Sequence, residues 1–243
     1  MEYAMISNLG KREHNEDCVD GRIQTVNGVE HGCFVLADGL GGHGRGEVAS
    51  QLVVGISMDT FERTTEFECI LQHILDEGQR ELMEMQRREN AFQELKTTAV
   101  SLYVNNEFVY WAHIGDSRLY YFNQNKLIER TKDHSVPQMM VLSGELKENR
   151  IRRHPDRNRL LRVMGIEWSN PKYTVSEKIE RKNGQAFLLC SDGFWENINE
   201  RQMMKCLKKA KSAKEWLSRM DDIVQKNGKK TDMDNNSALV VML

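Results

Sequence analysis

Short apolar runs that end in turn residues recur along the chain and predict β-strands. Residues 32–37 form a continuous apolar run that stops at Asp38-Gly39, and residues 186–190 form another that stops at Ser191-Asp192-Gly193. A last run covers residues 238–243. Two further pairs of runs have the pattern of β-hairpins. The pairs are 97–104 with 107–114, across Asn105-Asn106, and 119–122 with 126–128.

Apolar residues at helical spacing predict two pairs of helices. The segments are 47–61, about 66–88, about 200–209 and 213–226. Strands joined by hairpins pair antiparallel, and helices that come in two blocks cannot each connect parallel strands. The pattern therefore predicts an α+β fold with antiparallel sheets. Because we find no internal repeat and only three prolines, we expect one domain over residues 1–243.

Composition excludes several function classes. The 34 Lys and Arg residues nearly balance 36 Asp and Glu residues, so we expect neither nucleic acid nor a membrane as a partner. The first residues lack the basic and apolar stretches of a signal peptide, and no apolar run approaches the roughly 20 residues of a membrane helix. Five scattered cysteines without a CxxC pair are typical of reduced core residues. These features predict a cytoplasmic protein.

Aspartates lie at the ends of several predicted strands. Asp38 and Asp192 end two of them, Asp116 follows the apolar run 109–115, Asp234 lies shortly before the last strand, and Asp17 precedes Cys18-Val19. A single Asp-Gly pair is usually a turn, and we interpret Asp20-Gly21 in that way. Packed sheets can bring strand ends together, so the whole set predicts one acidic cleft.

Carboxylates that gather in a cleft repel one another unless water or cations compensate their charge. Oxygen ligands without histidine or cysteine at metal-binding spacing favour Mg²⁺ or Mn²⁺ over zinc. Two such ions can activate water for in-line attack on a phosphoryl group. Arg12 is the candidate for gripping the phosphate oxygens, and its alternative role is that of an ordinary surface arginine.

These residues fall into motifs that resemble one known family. The motifs are residues 12–17 (REHNED), 37–43 (ADGLGGH), 97–99 (TTA), 115–118 (GDSR), 191–193 (SDG) and 234–235 (DN). In this order they resemble the PPM family of metal-dependent, type 2C protein phosphatases, in its compact bacterial form. The resemblance runs from near the first residue to near the last. It implies a Ser/Thr protein phosphatase with an αββα sandwich, two antiparallel sheets flanked by pairs of antiparallel helices.

The resemblance also implies a site with two Mn²⁺ or Mg²⁺ ions. In that pattern Asp38 bridges both ions, the Gly39 carbonyl binds one of them, and Asp192 and Asp234 hold the other. Asp17 helps to hold the two ions, by direct contact or through water. Asp116 and Asp192 hold a third, more weakly bound ion. Arg12 positions the substrate phosphate, and a metal-bridging hydroxide attacks phosphorus without a phosphoenzyme intermediate. The implied partners are phosphoserine and phosphothreonine proteins, targets of a cognate Ser/Thr kinase, and the implied state is a monomer.

The sequence departs from animal members of the family at one position. Those members carry a histidine directly after the Asp-Gly pair as a proposed general acid, whereas this chain has Leu40 there and its nearest histidine is His43. His43 and metal-bound water are thus alternative acids. We favour water, because no orienting partner for His43 is identifiable from the sequence.

The segment 131–165 resembles the flap subdomain of the family. It contains a basic stretch, 147–162. A charge run of this kind is usually a solvated face, and the alternative is a rim that attracts acidic or phosphorylated substrates.

Three other functions compete with this hypothesis. Residues 39–44 also match the G-x-G-x-x-G pattern of dinucleotide-binding folds, with Asp59 at about the expected distance, but the hairpins contradict a parallel sheet. A phosphatase-like scaffold without catalysis would have lost carboxylates that are present here. A small-molecule phosphatase would use the same site. Hydrolysis assays distinguish the last two from a protein phosphatase.

Overall fold

The computed structural model describes residues 1–41, 44–91 and 94–243. Its strands are β1 (Glu2–Asn8), β2 (Asp17–Val26), β3 (Val29–Asp38), β4 (Ala99–Val104), β5 (Phe108–Ile114), β6 (Arg118–Asn123), β7 (Lys126–Arg130), β8 (Thr174–Val175), β9 (Ile179–Glu180), β10 (Gln185–Cys190) and β11 (Asn236–Met242). Its helices are α1 (Gly46–Arg63), α2 (Ile70–Glu89), α3 (Val136–Leu142), α4 (Asp192–Trp195), α5 (Glu200–Lys209) and α6 (Ala213–Gly228), with a 3-10 helix at Glu148–Arg153.

The strands form two antiparallel sheets, as the sequence predicted. The first sheet has the order β1-β11-β10-β6-β7, and the second has the order β2-β3-β4-β5-β8, with β9 also pairing β5. Within the described residues, no helix is at once long enough and apolar enough to cross a membrane.

Side chains alternate between the two faces of each strand, and this alternation builds a sandwich of four layers. In β3, the buried Phe34 and Leu36 pack between the two sheets, whereas Val35 packs with α1 and α2 on the opposite face. In β10, Phe187 lies between the sheets and Leu188 packs against α5 and α6. Helices therefore cover the outer face of each sheet, and the predicted αββα sandwich is confirmed.

Side-chain hydrogen bonds and left-handed backbone conformations explain the two hairpin turns. The Asn105 side chain accepts from the backbone N–H groups of Glu107 at 2.9 Å and Phe108 at 2.8 Å, which closes the β4–β5 hairpin. Gln124 and Asn125 have φ angles of 47° and 63°, as a tight two-residue turn between β6 and β7 requires. Both predicted hairpins are confirmed.

The second predicted helix begins later than its apolar spacing indicates. α2 starts at Ile70 and not near residue 66. The Thr64 hydroxyl binds the backbone of Glu66, its N–H at 3.1 Å and its carbonyl at 3.0 Å. This local turn competes with helical hydrogen bonding and delays the helix.

Four strands lie where the sequence pattern predicted none: β1, β2 and the two-residue strands β8 and β9. β1 and β2 carry interrupted apolar patterns and are only partly buried. The interpretation of Asp20-Gly21 as a turn is wrong, because both residues lie within β2, opposite Val35 and Phe34. Packing against β3 overrides the local turn preference. A Cβ atom at Gly21 would lie 2.5 Å from Cδ1 of Phe34, so the close approach of this strand requires glycine.

Residues 131–165 connect the two sheets beside the strand ends. Bridges from Ser135 to Leu160 and from Thr97 to Met164 mark the start and the return of the segment. Next to its start, Asp133 accepts two hydrogen bonds from the buried Arg118, at 2.8 and 2.6 Å. The Arg118 guanidinium also stacks on the Trp195 ring at 3.4 Å. The segment is thus anchored to the sandwich at its base.

Substitution of Gly21 by alanine tests the close approach of β2 and β3. We expect Gly21→Ala to lower the free energy of unfolding by about 1–3 kcal/mol, because Phe34 is buried between the sheets and cannot withdraw. Urea unfolding measures the change. Gly55→Ala is the matched control: Gly55 lies in α1 with open space around its Cα, so alanine there should stabilise by about 0.5–1 kcal/mol. Equal midpoints for the two variants would contradict this packing.

Candidate functional site

The predicted aspartates come together at one edge of the sandwich, and both sheets contribute. Asp38 is the last residue of β3 and lies directly opposite Asp17, the first residue of β2. Asp192 begins α4 just after β10, and Asp234 precedes β11, the strand paired with β10. Asp116 lies in the connection between β5 and β6. Residues up to 217 positions apart in sequence therefore share one cleft, here called the aspartate cluster.

Two threonines hold the backbone at Asp38 and Gly39. Thr98 Oγ1 accepts from the Asp38 N–H at 3.1 Å, and Thr97 Oγ1 donates to the Asp38 carbonyl at 2.9 Å. Gly39 lies so close to the backbone of Gly46 that a Cβ atom there would collide with it. The end of β3 is thus fixed by hydrogen bonds with neutral side chains.

Asp17 is joined to the first sheet through a serine. Ser191 Oγ donates to Asp17 Oδ2 at 2.8 Å and accepts from the Ser237 N–H at 3.0 Å. The other oxygen, Asp17 Oδ1, is buried and has no hydrogen-bond partner among the described residues. A buried carboxylate oxygen without a partner is costly, so this atom is suited to a cationic ligand.

The loop that carries Arg12 is held over the cluster by Asn235. Its amide donates to the carbonyls of Leu9 at 2.8 Å and His14 at 3.0 Å, and its carbonyl accepts from the Glu16 N–H at 2.9 Å. Arg12 itself is exposed, and its Nη2 donates to Asp234 Oδ2 at 2.8 Å. The predicted arginine thus lies at the cluster, paired with one of its carboxylates.

Asp116 lies deeper than the other predicted residues. It is 5% exposed, and its carbonyl accepts from the Trp195 indole N–H at 3.0 Å. The preceding Gly115 has a φ of 99°, a conformation that favours glycine, and its N–H donates to His134 Nδ1 at 3.2 Å. Through these contacts the start of the segment 131–165 helps to position Asp116.

The carboxylates raise one another's pKa values. Burial, followed by the charges of Asp17, Asp192, Asp116 and Asp234, raises the pKa of Asp38 well above its usual value. Burial, then the neighbouring carboxylates, beginning with Asp116, likewise raises the pKa of Asp192. Burial raises the pKa of Asp17 to about 6 and that of Asp116 to about 7. Without a compensating cation, the fully ionised cluster is unfavourable.

Glu16 is a further acid at this edge that the sequence analysis did not single out as a site residue. Its carboxylate lies against Gly41, and burial followed by the charges of Glu47 and Asp234 raises its pKa. The sequence contained a signal for it, the adjacent acidic pair Glu16-Asp17, but a lone neighbouring carboxylate is more often a surface group.

The candidate ligand atoms have the chemistry that hard divalent cations prefer. Every candidate ligand is an oxygen atom, and one of them, Asp17 Oδ1, is buried without a partner. In the arrangement described, however, no three histidine, cysteine, aspartate or glutamate side chains of residues 1–41, 44–91 and 94–243 already converge as a metal-holding group. Instead, the Asp234 carboxylate accepts a hydrogen bond from Arg12, and the Asp17 carboxylate accepts one from Ser191. The predicted acid candidate His43 lies outside the described residues.

Comparisons with known proteins agree with this geometry. The family model described as protein phosphatase 2C matches residues 7–236. The serine/threonine phosphatase stp of Listeria monocytogenes serotype 4b (strain F2365) is 30% identical over 236 residues, which is 95% of this chain and 90% of that protein. The crystal structure of the Mycobacterium tuberculosis serine/threonine phosphatase PstP/Ppp has a TM-score of 0.84 at 27% identity and covers 100% of this chain and 98% of its own.

A second solved structure shows metal in such a fold. The catalytic domain of the serine/threonine protein phosphatase PstP in complex with two manganese ions has a TM-score of 0.80 at 26% identity, covering 98% of this chain and 96% of its own. With a family model that spans nearly the whole sequence and relatives that match it end to end, the chain belongs to the protein phosphatase 2C family of serine/threonine protein phosphatases.

Proposed function

We propose that the aspartate cluster is a centre for two divalent cations at which this phosphatase hydrolyses phosphoserine and phosphothreonine in other proteins. One observation carries the proposal. Five aspartates from both sheets surround a single cleft, where Asp38 is affected by the charges of the four others. Ionised carboxylates so arranged need nearby positive charge, and the substrate phosphate, itself an anion, increases that need.

The position of each residue suggests its role. Asp38 lies between the carboxylates of both sheets, so we assign it as the ligand shared by two cations, with the Gly39 carbonyl beside it. Asp192 and Asp234, from the first sheet, hold the second cation. Asp17 supports the centre through its unpartnered oxygen. Asp116, whose charge acts on Asp192, holds a third and weaker cation together with it.

Cations at these carboxylates supply positive charge for the phosphoryl oxygens and lower the pKa of a water molecule that can attack phosphorus. Mn²⁺ and Mg²⁺ both suit the oxygen donors, and the PstP structure with manganese supports the former. The substrates are phosphoproteins made by a cognate Ser/Thr kinase, and the phosphatase acts as a cytoplasmic monomer.

Arg12 binds the substrate phosphate. Its guanidinium is exposed at the mouth of the cluster and can present two parallel N–H donors to a phosphate. In the structure its Nη2 donates to Asp234 Oδ2, and both side chains of this pair are exposed. Exchange of this exposed carboxylate partner for a phosphate costs little, since an exposed ion pair contributes at most about 1 kcal/mol.

Hydrolysis of an aryl phosphate and of a phosphothreonine peptide with and without Mn²⁺ tests the proposed function. Activity on both substrates that depends on the cation supports it. A scaffold would hydrolyse neither, and a small-molecule phosphatase would prefer nucleotides to the peptide.

Removal of single carboxylates tests the assigned ligands. We expect Asp38→Asn to lower kcat/KM by about a thousandfold, or ~4 kcal/mol, because both cations lose a shared ligand. Asp192→Asn and Asp234→Asn should weaken Mn²⁺ binding, measured by calorimetric titration without substrate. Asp59→Asn, on the exposed face of α1, is the control and should change neither quantity. Unchanged Mn²⁺ affinity in both first-sheet variants would refute the ligand assignment.

Substitution of Arg12 separates phosphate binding from chemistry. We expect Arg12→Ala to raise KM for phosphate esters about tenfold with little change in kcat, because the guanidinium grips a group present in ground and transition states alike. Arg22→Ala, which removes an exposed ion-paired arginine of β2, is the control. A defect confined to kcat would contradict the role.

Burial of Asp116, together with the charge of Asp133, makes stability without metal depend on pH. Between the unfolded pKa of about 3.9 and the folded value of about 7, native Asp116 binds a proton that the unfolded chain does not, so its contribution to stability falls as pH rises through this window. In chelator at pH 8, we expect Asp116→Asn to raise the free energy of unfolding by roughly 1–3 kcal/mol relative to the wild type, and to have little effect at pH 4.

Urea unfolding at each pH measures this difference, with Asp59→Asn as the control. The variant must be compared with the wild type at the same pH. Burial lowers the pKa values of the buried His113 and the half-buried His134, and these two residues contribute the opposite slope. Equal destabilisation of the metal-free protein by Asp116→Asn at pH 4 and pH 8 would contradict the raised pKa of Asp116.

A further inference from the structure

A cavity of about 1350 Å³ lies beside the aspartate cluster and is separate from it. β7, α3, the 3-10 helix and the start of α5 contribute its lining, and none of the five aspartates lines it. We call this cavity the side groove. The proposed catalytic roles use none of its exposed residues.

The side groove concentrates exposed apolar side chains. Among the described residues, eight large apolar side chains are exposed, and four of them line the groove. These are Ile128, Met139, Leu142 and Leu161, with exposed fractions of 57, 55, 65 and 53%. They come from three different parts of the chain, so the fold brings them to one surface. Apolar surface gathered in this way is typical of a binding site.

The charge of the side groove is positive. Arg118, Arg130, Lys132 and Arg152 line it, and each is paired with a carboxylate. Three further lining arginines, Arg150, Arg153 and Arg162, are exposed and have no carboxylate partner in the part of the chain that the structure describes. An occupant with negative charge would complement them.

The side groove adjoins the aspartate cluster through shared residues. Arg118 and Glu196 line the groove, and their charges act on Asp116 in the cluster. Trp195, on which Arg118 stacks, donates a hydrogen bond to the Asp116 carbonyl. A polypeptide that occupies the groove can therefore continue towards the cluster.

We propose that the side groove binds an acidic segment with aliphatic side chains, in the same phosphoprotein whose phosphoserine or phosphothreonine enters the aspartate cluster. The aliphatic side chains contact Ile128, Met139 and Leu142, and the carboxylates pair with Arg150 and Arg153. The proposal rests on the proposed function and adds to it a docking site remote from the phosphate. Substrates with such a segment are selected over other phosphoproteins.

Nucleic acid fits the side groove less well than an acidic polypeptide. The exposed apolar groups are aliphatic, and the lining Trp111 is only 3% exposed, so its face is not available for stacking on bases.

Binding of an unphosphorylated peptide separates docking from catalysis. The probe is a fluorescein-labelled peptide of glutamate, aspartate and leucine, and its partner is a peptide of the same length with lysine and serine instead. Fluorescence anisotropy with the full chain should show binding of the acidic peptide only. Arg150→Glu with Arg153→Glu, and separately Leu142→Asp, should each weaken that binding at least tenfold. Both changes are at exposed positions, so the variants should fold.

A matched control carries the same change of charge elsewhere. Arg87→Glu with Lys214→Glu changes two exposed positions, in α2 and α6, that line neither the groove nor the cluster. This control should bind the acidic peptide as the wild type does. All variants should hydrolyse an aryl phosphate at the wild-type rate, whereas kcat/KM for a phosphothreonine peptide with the acidic segment should fall about tenfold only in the groove variants.

Several outcomes would overturn the proposal. Undiminished peptide binding in both groove variants would place the docking site elsewhere. If a single-stranded oligonucleotide binds more tightly than the acidic peptide, and the groove variants abolish this binding, the groove is a nucleic-acid site. A dimer that dissociates in the groove variants would make it an interface between copies. If the wild-type protein binds the peptide through the groove but hydrolyses no phosphate ester with Mn²⁺, the proposed catalytic function is wrong, whereas the groove still binds an acidic segment.

Discussion

Repulsion among carboxylates is the constraint on which the rest of the site depends. The sandwich brings Asp17, Asp38, Asp116, Asp192 and Asp234 into one cleft, where burial and then the charges of neighbouring carboxylates raise the pKa values of Asp17, Asp38, Asp116 and Asp192. The stability of the whole domain must compensate this local cost. In the proposed function, divalent cations turn this unfavourable site into a favourable one, so the same repulsion that weakens the metal-free protein would provide its affinity for metal and for the substrate phosphate.

The supporting groups around the cluster are neutral, and this has a consequence for function. Thr97, Thr98, Ser191 and Asn235 hold the strand ends and the Arg12 loop through backbone hydrogen bonds. Because they position the main chain, most of the carboxylate oxygens are left free to act as ligands. The buried charged pair Arg118–Asp133 lies instead next to the start of the segment 131–165. It is fully satisfied by two hydrogen bonds and a stacked indole, as a buried pair must be.

The aspartate cluster and the side groove have opposite chemistry and lie next to each other. The cluster is acidic and, in the proposed function, binds the phosphate that all phosphoproteins share. The groove combines aliphatic side chains with three arginines that have no carboxylate partner among the described residues. Such a division separates catalysis from selection. Under this proposal, substrate preference can change through exposed residues such as Arg150 and Leu142 without disturbing the proposed metal ligands.

The sequence by itself determined the hairpins, the paired helices, the antiparallel class of the fold and the aspartates at strand ends, because apolar periodicity and turn chemistry are local. The tertiary structure alone decided that Asp20-Gly21 continues a strand, since the contact of Gly21 with Phe34 outweighs its turn preference. It also decided that Asp17 faces Asp38 and that Ser191 joins them to the first sheet. The side groove was unpredictable for the same reason: Ile128, Leu142 and Leu161 are unremarkable surface residues until packing brings them together.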